Sequence, residues 1–304
     1  MTASNALTAT VTAAQVAAVV LPQAALIGAP GPVVRALAGL LAERVEPQRP
    51  KLQCLGLTEP GGPSPIVALE WDRAEIAGET GAPGLATRPD IAFLAWDMVE
   101  SDQPLEMLVP TIQWGKRLAQ LGFNLLVGPS PVAERGGDFG ADPRLVARTF
   151  PVFLDGLRAA GLEHCAGGFD PAKMEPTWPD GPGLGFAAGL AKGLAAITVA
   201  GDAVRRDGLA GLGLGSVLRE QAGFTGVALA PSILADDNAG QALADALEAD
   251  FDLMPLVESE PASDSGRDRL EDLLQEAAGE IEARGLEGRL RQAAARVLVL
   301  RDHL

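Results

Sequence analysis

The sequence predicts an α/β protein, a single (β/α)8 barrel of the TIM type over residues 1–304, irregular in places and carrying extra C-terminal helices. Short apolar runs without polar alternation recur along the chain, the pattern of strands buried on both faces. Amphipathic stretches separate them, as in a parallel sheet covered by helices. Eight such runs in about 250 residues fit a closed barrel better than an open doubly wound sheet.

The candidate strands are Ala17–Leu21, Lys51–Leu57, Ile66–Glu70, Asn124–Val127, His164–Gly167, Ala196–Ala200, Gly226–Ala230 and Phe251–Leu256. Helical periodicity fills Pro32–Arg44, Leu105–Leu121, Pro143–Ala160, Gly183–Gly193, Gly215–Gln221 and Gln241–Glu248. Thr80–Met98 is rich in Gly, Pro and Ala with no steady period, and reads as a long ordered loop. Glu258–Asp268 reads as a polar loop before two terminal helices. Their apolar faces are Leu270, Leu273, Leu274, Ala277 and Ile281, then Leu286, Leu290, Ala293 and Val297.

Charge narrows the partners. With 24 basic against 40 acidic residues the chain carries −16, which repels phosphate backbones and anionic lipid. Nucleic-acid and membrane partners are therefore not expected. Ala13–Gly28 is apolar, but Pro22 interrupts it and Met1–Thr12 has no basic side chain. It lacks the pattern of a secretory signal or of a span, which takes about 20 apolar residues. A cytoplasmic protein is the expectation. Cys54 and Cys165 each lie in an apolar run without Cys-x-x-Cys spacing, so they read as small buried hydrophobes and no metal site or cofactor is expected.

Several segments in order resemble glycoside hydrolase family 3, in particular its single-domain β-N-acetylhexosaminidases. Pro65–Asp72 (PIVALEWD) resembles the strand ending in Asp-x-Glu-Gly-Gly, and Gly122–Pro129 (GFNLLVGP) the Gly-Ile-Asn-x-x-Phe-Ala-Pro strand. Phe139–Pro143 followed by Gly156–Gly161 is similar to the Phe-Gly-x-Asp-Pro helix and its Gly-Leu-x-x-x-Gly end. Leu218-Arg219 with Gly223–Val227, then Ala249–Leu253, then Arg296–Arg301, resemble the run to the nucleophile strand, the Ala-Gly-x-Asp-Leu segment and the closing helix. The resemblance covers residues 50–304 and implies a barrel with its site at the strand C-termini.

The departures fall on the chemistry. Where the family carries its nucleophilic Asp, this chain has Pro231, which has no carboxylate to attack an anomeric carbon. The sugar-binding Lys-His pair is Gly167-Gly168. The Asp-x-His loop with the family's proton donor has no counterpart in Ala172–Pro182. A family Arg falls at Gly137, an Asp at Val132 and a His at Gly201. A retaining glycosidase needs a nucleophile and a proton donor about 5–5.5 Å apart. The resemblance thus implies a vestigial cleft of Pro231, Gly167, Gly168, Val132, Gly137 and Gly201, with no catalytic residue.

Other residues could still carry chemistry. Glu70 and Asp72 share one side of a strand end about 6.5–7 Å apart, at the lower edge of an inverting acid/base pair. They are the alternative catalytic pair; otherwise they are solvated vestiges. Trp71, Trp96 and Trp178, with Glu70, Asp72 and Asp170, form a candidate ligand-binding set, because aromatic faces stack on sugars. The rival reading of the tryptophans is packing or a protein-contact surface, while Trp114 sits in an amphipathic helix and reads as core. His164 lies early in its strand and reads as structural; no spacing joins it to Ser232 as a triad. Gly208–Gly215 lacks the context of a nucleotide loop.

The function expected is thus a non-catalytic family 3-like pseudoenzyme that binds a sugar fragment or a protein partner. The alternative is a diverged O-glycosyl hydrolase, β-N-acetylhexosaminidase-like, using Glu70 and Asp72. The sequence sets no oligomeric state.

Overall fold

A computed structural model describes residues 20–21, 26–27, 66, 68–71, 89–120, 123–174, 181–230, 239–255 and 264–303. The predicted strand Lys51–Leu57, the predicted helix Pro32–Arg44, and Cys54, Asp72, Trp178, Pro231 and Ser232 lie outside these residues.

The described strands are β1 (Val20–Leu21), β2 (Leu26–Ile27), β3 (Ala68–Glu70), β4 (Leu125–Val127), β5 (Glu163–Phe169), β6 (Ala196–Val199), β7 (Val227–Leu229) and β8 (Met254–Pro255). All pairings are parallel. One ladder runs β2-β3-β4-β5-β6-β7, a second joins β1 to β8, and a bridge between Leu229 and Leu253 links the two. No pairing joins β1 to β2 among the described residues, so they form an arc whose ends, Leu21 and Leu26, are close along the chain. The arc supports the α/β part of the expectation; closure into a (β/α)8 barrel is not established by it. Leu26–Ile27, which the sequence did not single out, is the strand that pairs with β3.

Between strands lie α1 (Ile91–Ser101), α2 (Leu105–Gln120), α3 (Pro143–Ala159), α4 (Pro171–Met174), α5 (Leu184–Ala191), α6 (Gly201–Gly211), a π-helical turn at Gly215–Gln221 and α7 (Ala239–Glu248). Helices α8 (Asp264–Ala283) and α9 (Glu287–His303) complete the described chain. One expectation needs correction: Ile91–Met98 is helix, not loop, and Asp90 caps it by accepting from the Phe93 N–H at 3.0 Å. Gly201–Gly211, which the sequence did not single out, is also helix, broken only at Gly208, whose φ of 66° is left-handed.

Strand residues alternate between two faces. Leu69, Leu126, His164, Ala166, Ile197 and Ala228 meet the helix layer, where Phe139, Phe150, Phe153 and Phe186 are fully buried. Burial of each such ring is worth about 1.5–3 kcal/mol. Gly189 of α5 lets Phe150 of α3 approach, since a Cβ there would lie 2.5 Å from its Cε1. The opposite face is smaller: Ala68, Leu125, Cys165, Ala196, Val227 and Leu229 gather around Val297 and Leu300 of α9. As expected, Leu274, Ala277 and Ile281 of α8 and Leu290, Ala293 and Val297 of α9 point inward.

A buried carboxylate fixes α9. Asp252 is fully buried; it accepts from the Ala228 N–H at 2.9 Å and Arg296 Nη1 at 2.7 Å, and pairs with Arg219 Nη2. Arg219 also donates to the Phe224 and Gly226 carbonyls. Burial lowers the Arg219 pKa, while the Asp252 charge opposes that shift. The Leu-Arg and Asp-Leu motifs of the sequence therefore meet as one ion-paired joint. No described helix is long and apolar enough to cross a membrane.

Candidate functional site

In parallel α/β folds ligands bind at the C-terminal ends of the strands. Here those ends bring together Glu70 of β3, Gly128–Ser130 after β4, Gly167–Asp170 at β5, Ala200-Gly201 after β6 and Ala230 after β7.

The β4–β5 corner is tightly built. Gly128 N–H donates to the Cys165 carbonyl at 2.8 Å, and its own carbonyl lies 2.7 Å from His164 Nε2. A carbonyl can only accept, so Nε2 carries the proton. The ring is wedged edge-on between Phe150 and Phe153, with Nδ1 unpartnered. Burial lowers the His164 pKa to about 3, outweighing the Gly128 hydrogen bond. This is the structural histidine the sequence predicted. Cys165, on the opposite face, is buried, and burial pushes its thiol up.

Gly167 and Gly168 lie where β5 slips register against β6 between Ala166 and Phe169. Gly168 has φ +74°, and a Cβ there would lie 2.7 Å from Ser130 Oγ. Ser130 Oγ in turn accepts from the Val132 N–H at 3.3 Å. A side chain at position 168 is thus opposed both by backbone conformation and by the loop after β4. Gly167 is different: its Cβ would meet Gly128 Cα at an ordinary 3.5 Å.

Asp170 closes the β5 end. It is 1% exposed and takes Arg206 bidentately, Oδ1 from Nη2 at 2.9 Å and Oδ2 from Nη1 at 3.2 Å. Oδ1 also accepts from the Ala172 N–H at 3.1 Å. Arg206 binds Asp207 as well, and the two carboxylates raise its pKa further. The expected ligand-binding role of Asp170 is corrected here, since both of its oxygens serve the fold.

Trp71 is likewise corrected. It is 3% exposed, donates Nε1–H to Asp138 Oδ1 at 2.8 Å, and packs edge-to-face on Trp114 and Phe153. A ring so enclosed has no face to offer a sugar. Trp96 is not on a loop at the strand ends but on the outer surface of α1, 63% exposed, with Nε1 donating to Glu100 Oε2 at 3.0 Å. Trp114 is core, as predicted.

Of the remaining cleft positions, Val132 is buried and Gly137 sits in the turn closed by its N–H on the Glu134 carbonyl. Gly201 is the exposed first residue of α6. Glu70 ends β3 opposite Val127, and Asp72, Trp178 and Pro231 lie outside the described residues. Sequence reasoning missed Arg206, Asp138 and Ser130; the Arg205-Arg206-Asp207 run was the only hint of the first. No group of three or more His, Cys, Asp or Glu arranged for a metal occurs among the described residues. A surface cleft of about 350 Å³ lies at the other end of β6 and β7, between α5 and Ala222–Thr225. Its walls carry no ionisable side chain, so it offers shape without acid–base chemistry.

No protein-family model matches the chain, and no curated protein matches it. Solved structures do. A β-N-acetylhexosaminidase from Beutenbergia cavernae superposes with a TM-score of 0.66 at 20% identity, over 96% of this chain and 94% of that one. A glycoside hydrolase family 3 β-N-acetylglucosaminidase from Paenibacillus sp. gives 0.64 at 17% identity, over 95% and 62%. NagZ from Neisseria gonorrhoeae, in complex with N-trifluoroacetyl-D-glucosamine, gives 0.54 at 19% identity, over 85% and 87%. At these identities the likeness is one of fold alone: the chain shares with these structures a mixed α/β architecture built on a parallel sheet.

Proposed function

We propose that this chain is a non-catalytic family 3-like barrel that acts by binding, to a carbohydrate fragment or a protein, and not by hydrolysis. We take residues 1–304 as one domain and the arc as closed, a reading supported by the short tether between Leu21 and Leu26 and by the extent of the likeness.

The observation that carries the proposal is the β5 end. At the two positions where the resemblance would put a Lys and a His stand Gly167 and Gly168, and Ser130 fills the space a side chain at 168 would need. Next to them Asp170 is committed to Arg206. The sequence adds Pro231 at the nucleophile position, where no glycosyl-enzyme can form.

The test is a chromogenic N-acetyl-β-glucosaminide incubated with the purified chain. The expected result is no release above the protein-free blank. Release that disappears in Glu70→Gln or Asp72→Asn would instead establish the diverged-hydrolase reading. Titration with N-acetylglucosamine, followed by calorimetry, separates sugar binding from a purely protein-directed role.

A further inference from the structure

The helix pair beside β3 and β4 has an unusual surface. Among the described residues, the large hydrophobic side chains that stand exposed are Phe93 and Trp96 (both 63%), Leu105 (59%), Val109 (43%), Leu298 and Val299. The first four all lie on α1 and α2, which are joined by the short turn Asp102–Pro104, where the Gln103 N–H returns to the Met98 carbonyl. The inward faces of the pair are accounted for: Ile91, Ala95 and Met98 of α1 and Met107, Trp114 and Leu118 of α2 are buried in the core. Within each helix the exposed pair shares one face, spaced i, i+3 on α1 and i, i+4 on α2, and the two helices pack against each other, so the four side chains form the outer ridge of the hairpin.

Its electrostatic setting is mainly acidic, with the basic residues of α2, Lys116 and Arg117, confined to the C-terminal end of that helix. From Pro89 to Gly115 the sequence contains Asp90, Asp97, Glu100, Asp102 and Glu106 and no Lys, Arg or His. Asp90 caps α1 and Asp102 pairs with Arg148 of α3, which leaves Asp97, Glu100 and Glu106 beside the apolar ridge. Exposed Trp and Phe on a helix mark contact surfaces, since such rings are otherwise drawn inside. Trp96 is also oriented by its bond to Glu100, so little rotamer freedom is left to lose on docking.

We propose that the α1–α2 ridge is a docking site for a cationic amphipathic helix of a partner protein. Aliphatic side chains of that helix pack on Phe93, Trp96, Leu105 and Val109, and its Lys and Arg residues face Asp97, Glu100 and Glu106. The same carboxylates, in a chain of net charge −16, repel anionic lipid and nucleic acid, which selects a protein over those surfaces. The inference goes beyond the rim reading and stands whether or not the strand ends bind sugar.

The probe is a fluorescein-labelled Leu/Lys amphipathic helical peptide titrated with the full chain and read by anisotropy. Controls are a composition-matched peptide with scrambled, non-amphipathic order and a Leu/Glu counterpart. Saturable binding is expected for the Leu/Lys helix alone, weakened about tenfold or more in Phe93→Ala/Trp96→Ala and in Asp97→Asn/Glu100→Gln. All four residues lie on the outer side of α1, and thermal melts confirm that the variants fold. Equal binding of the scrambled peptide, or unchanged binding by the Phe93/Trp96 variant, reduces the effect to bulk charge and overturns the proposal. So does an acrylamide-quenching profile of the free chain that loses no accessible component in Trp96→Phe, because the ridge is then already covered.

Discussion

At the N-terminal ends of β7 and β8, Asp252 gathers Arg219, Arg296 and the Ala228 N–H, and α9 drives Val297 and Leu300 onto the adjoining face of the strands. At the C-terminal ends, the comparable carboxylate, Asp170, holds one arginine that is 43% exposed and shares it with Asp207. Both aspartates are buried, yet one joins three elements under cover while the other makes a half-solvated clasp beside two glycines. The difference shows where stability and the candidate site separate. The first end ties three elements together in the buried scaffold, whereas the second leaves its ion pair in contact with solvent.

The largest expected effect falls at the first end. Asp252→Asn leaves two guanidinium groups facing a neutral amide, and should cost about 3–5 kcal/mol in urea unfolding. A cost below about 1 kcal/mol would erase the contrast between the ends. Next comes acid. His164 is neutral in the fold with a pKa near 3, against 6.5 for an exposed histidine. Between those values the unfolded chain binds the extra proton, so its contribution is intact above pH 6.5 and is lost as pH falls toward 3. The loss approaches about 5 kcal/mol. Urea midpoints should fall across this window, and His164→Leu should flatten the slope.

Asp170→Asn, at the other end, should cost only about 1–2 kcal/mol, because solvent and Asp207 still serve Arg206. A pair of adjacent glycines sharpens the contrast within the strand ends themselves, and its second member carries the smallest effect. Gly168→Ala should cost about 1–3 kcal/mol through its left-handed backbone and the Ser130 hydroxyl, whereas Gly167→Ala should stay within about 0.5 kcal/mol. Thermal melts of the two side by side decide this.

Legibility in the sequence followed the same division. Ile66–Glu70, Asn124–Val127, Ala196–Ala200 and Gly226–Ala230 were readable as strands because unbroken aliphatic runs suit two buried faces. Strand β2 was not, since Leu26–Ile27 is only two residues long and follows Pro22 within the same apolar stretch as the predicted strand Ala17–Leu21. Helix α1 was hidden by the Gly and Pro residues before it, although Asp90 ahead of an apolar stretch was a usable start signal. At the site, Trp71 was misread because a strand-end position does not reveal which face a ring takes; its partner Asp138 lies 67 residues away. Pairings of that range, like Arg206 with Asp170 or Arg219 with Asp252, leave no local pattern. The exposed face of α1 was legible only in part, through the alternative reading of Trp71, Trp96 and Trp178 as packing or a protein-contact surface.

The Ser130 hydroxyl under Gly168 acts as a ratchet. A bulky side chain introduced at position 168 meets an occupied space and an unfavourable φ at once, so it is penalised before any new contact can help. Enlarging that residue therefore requires the loop after β4 to be reshaped first, and a single substitution does not suffice.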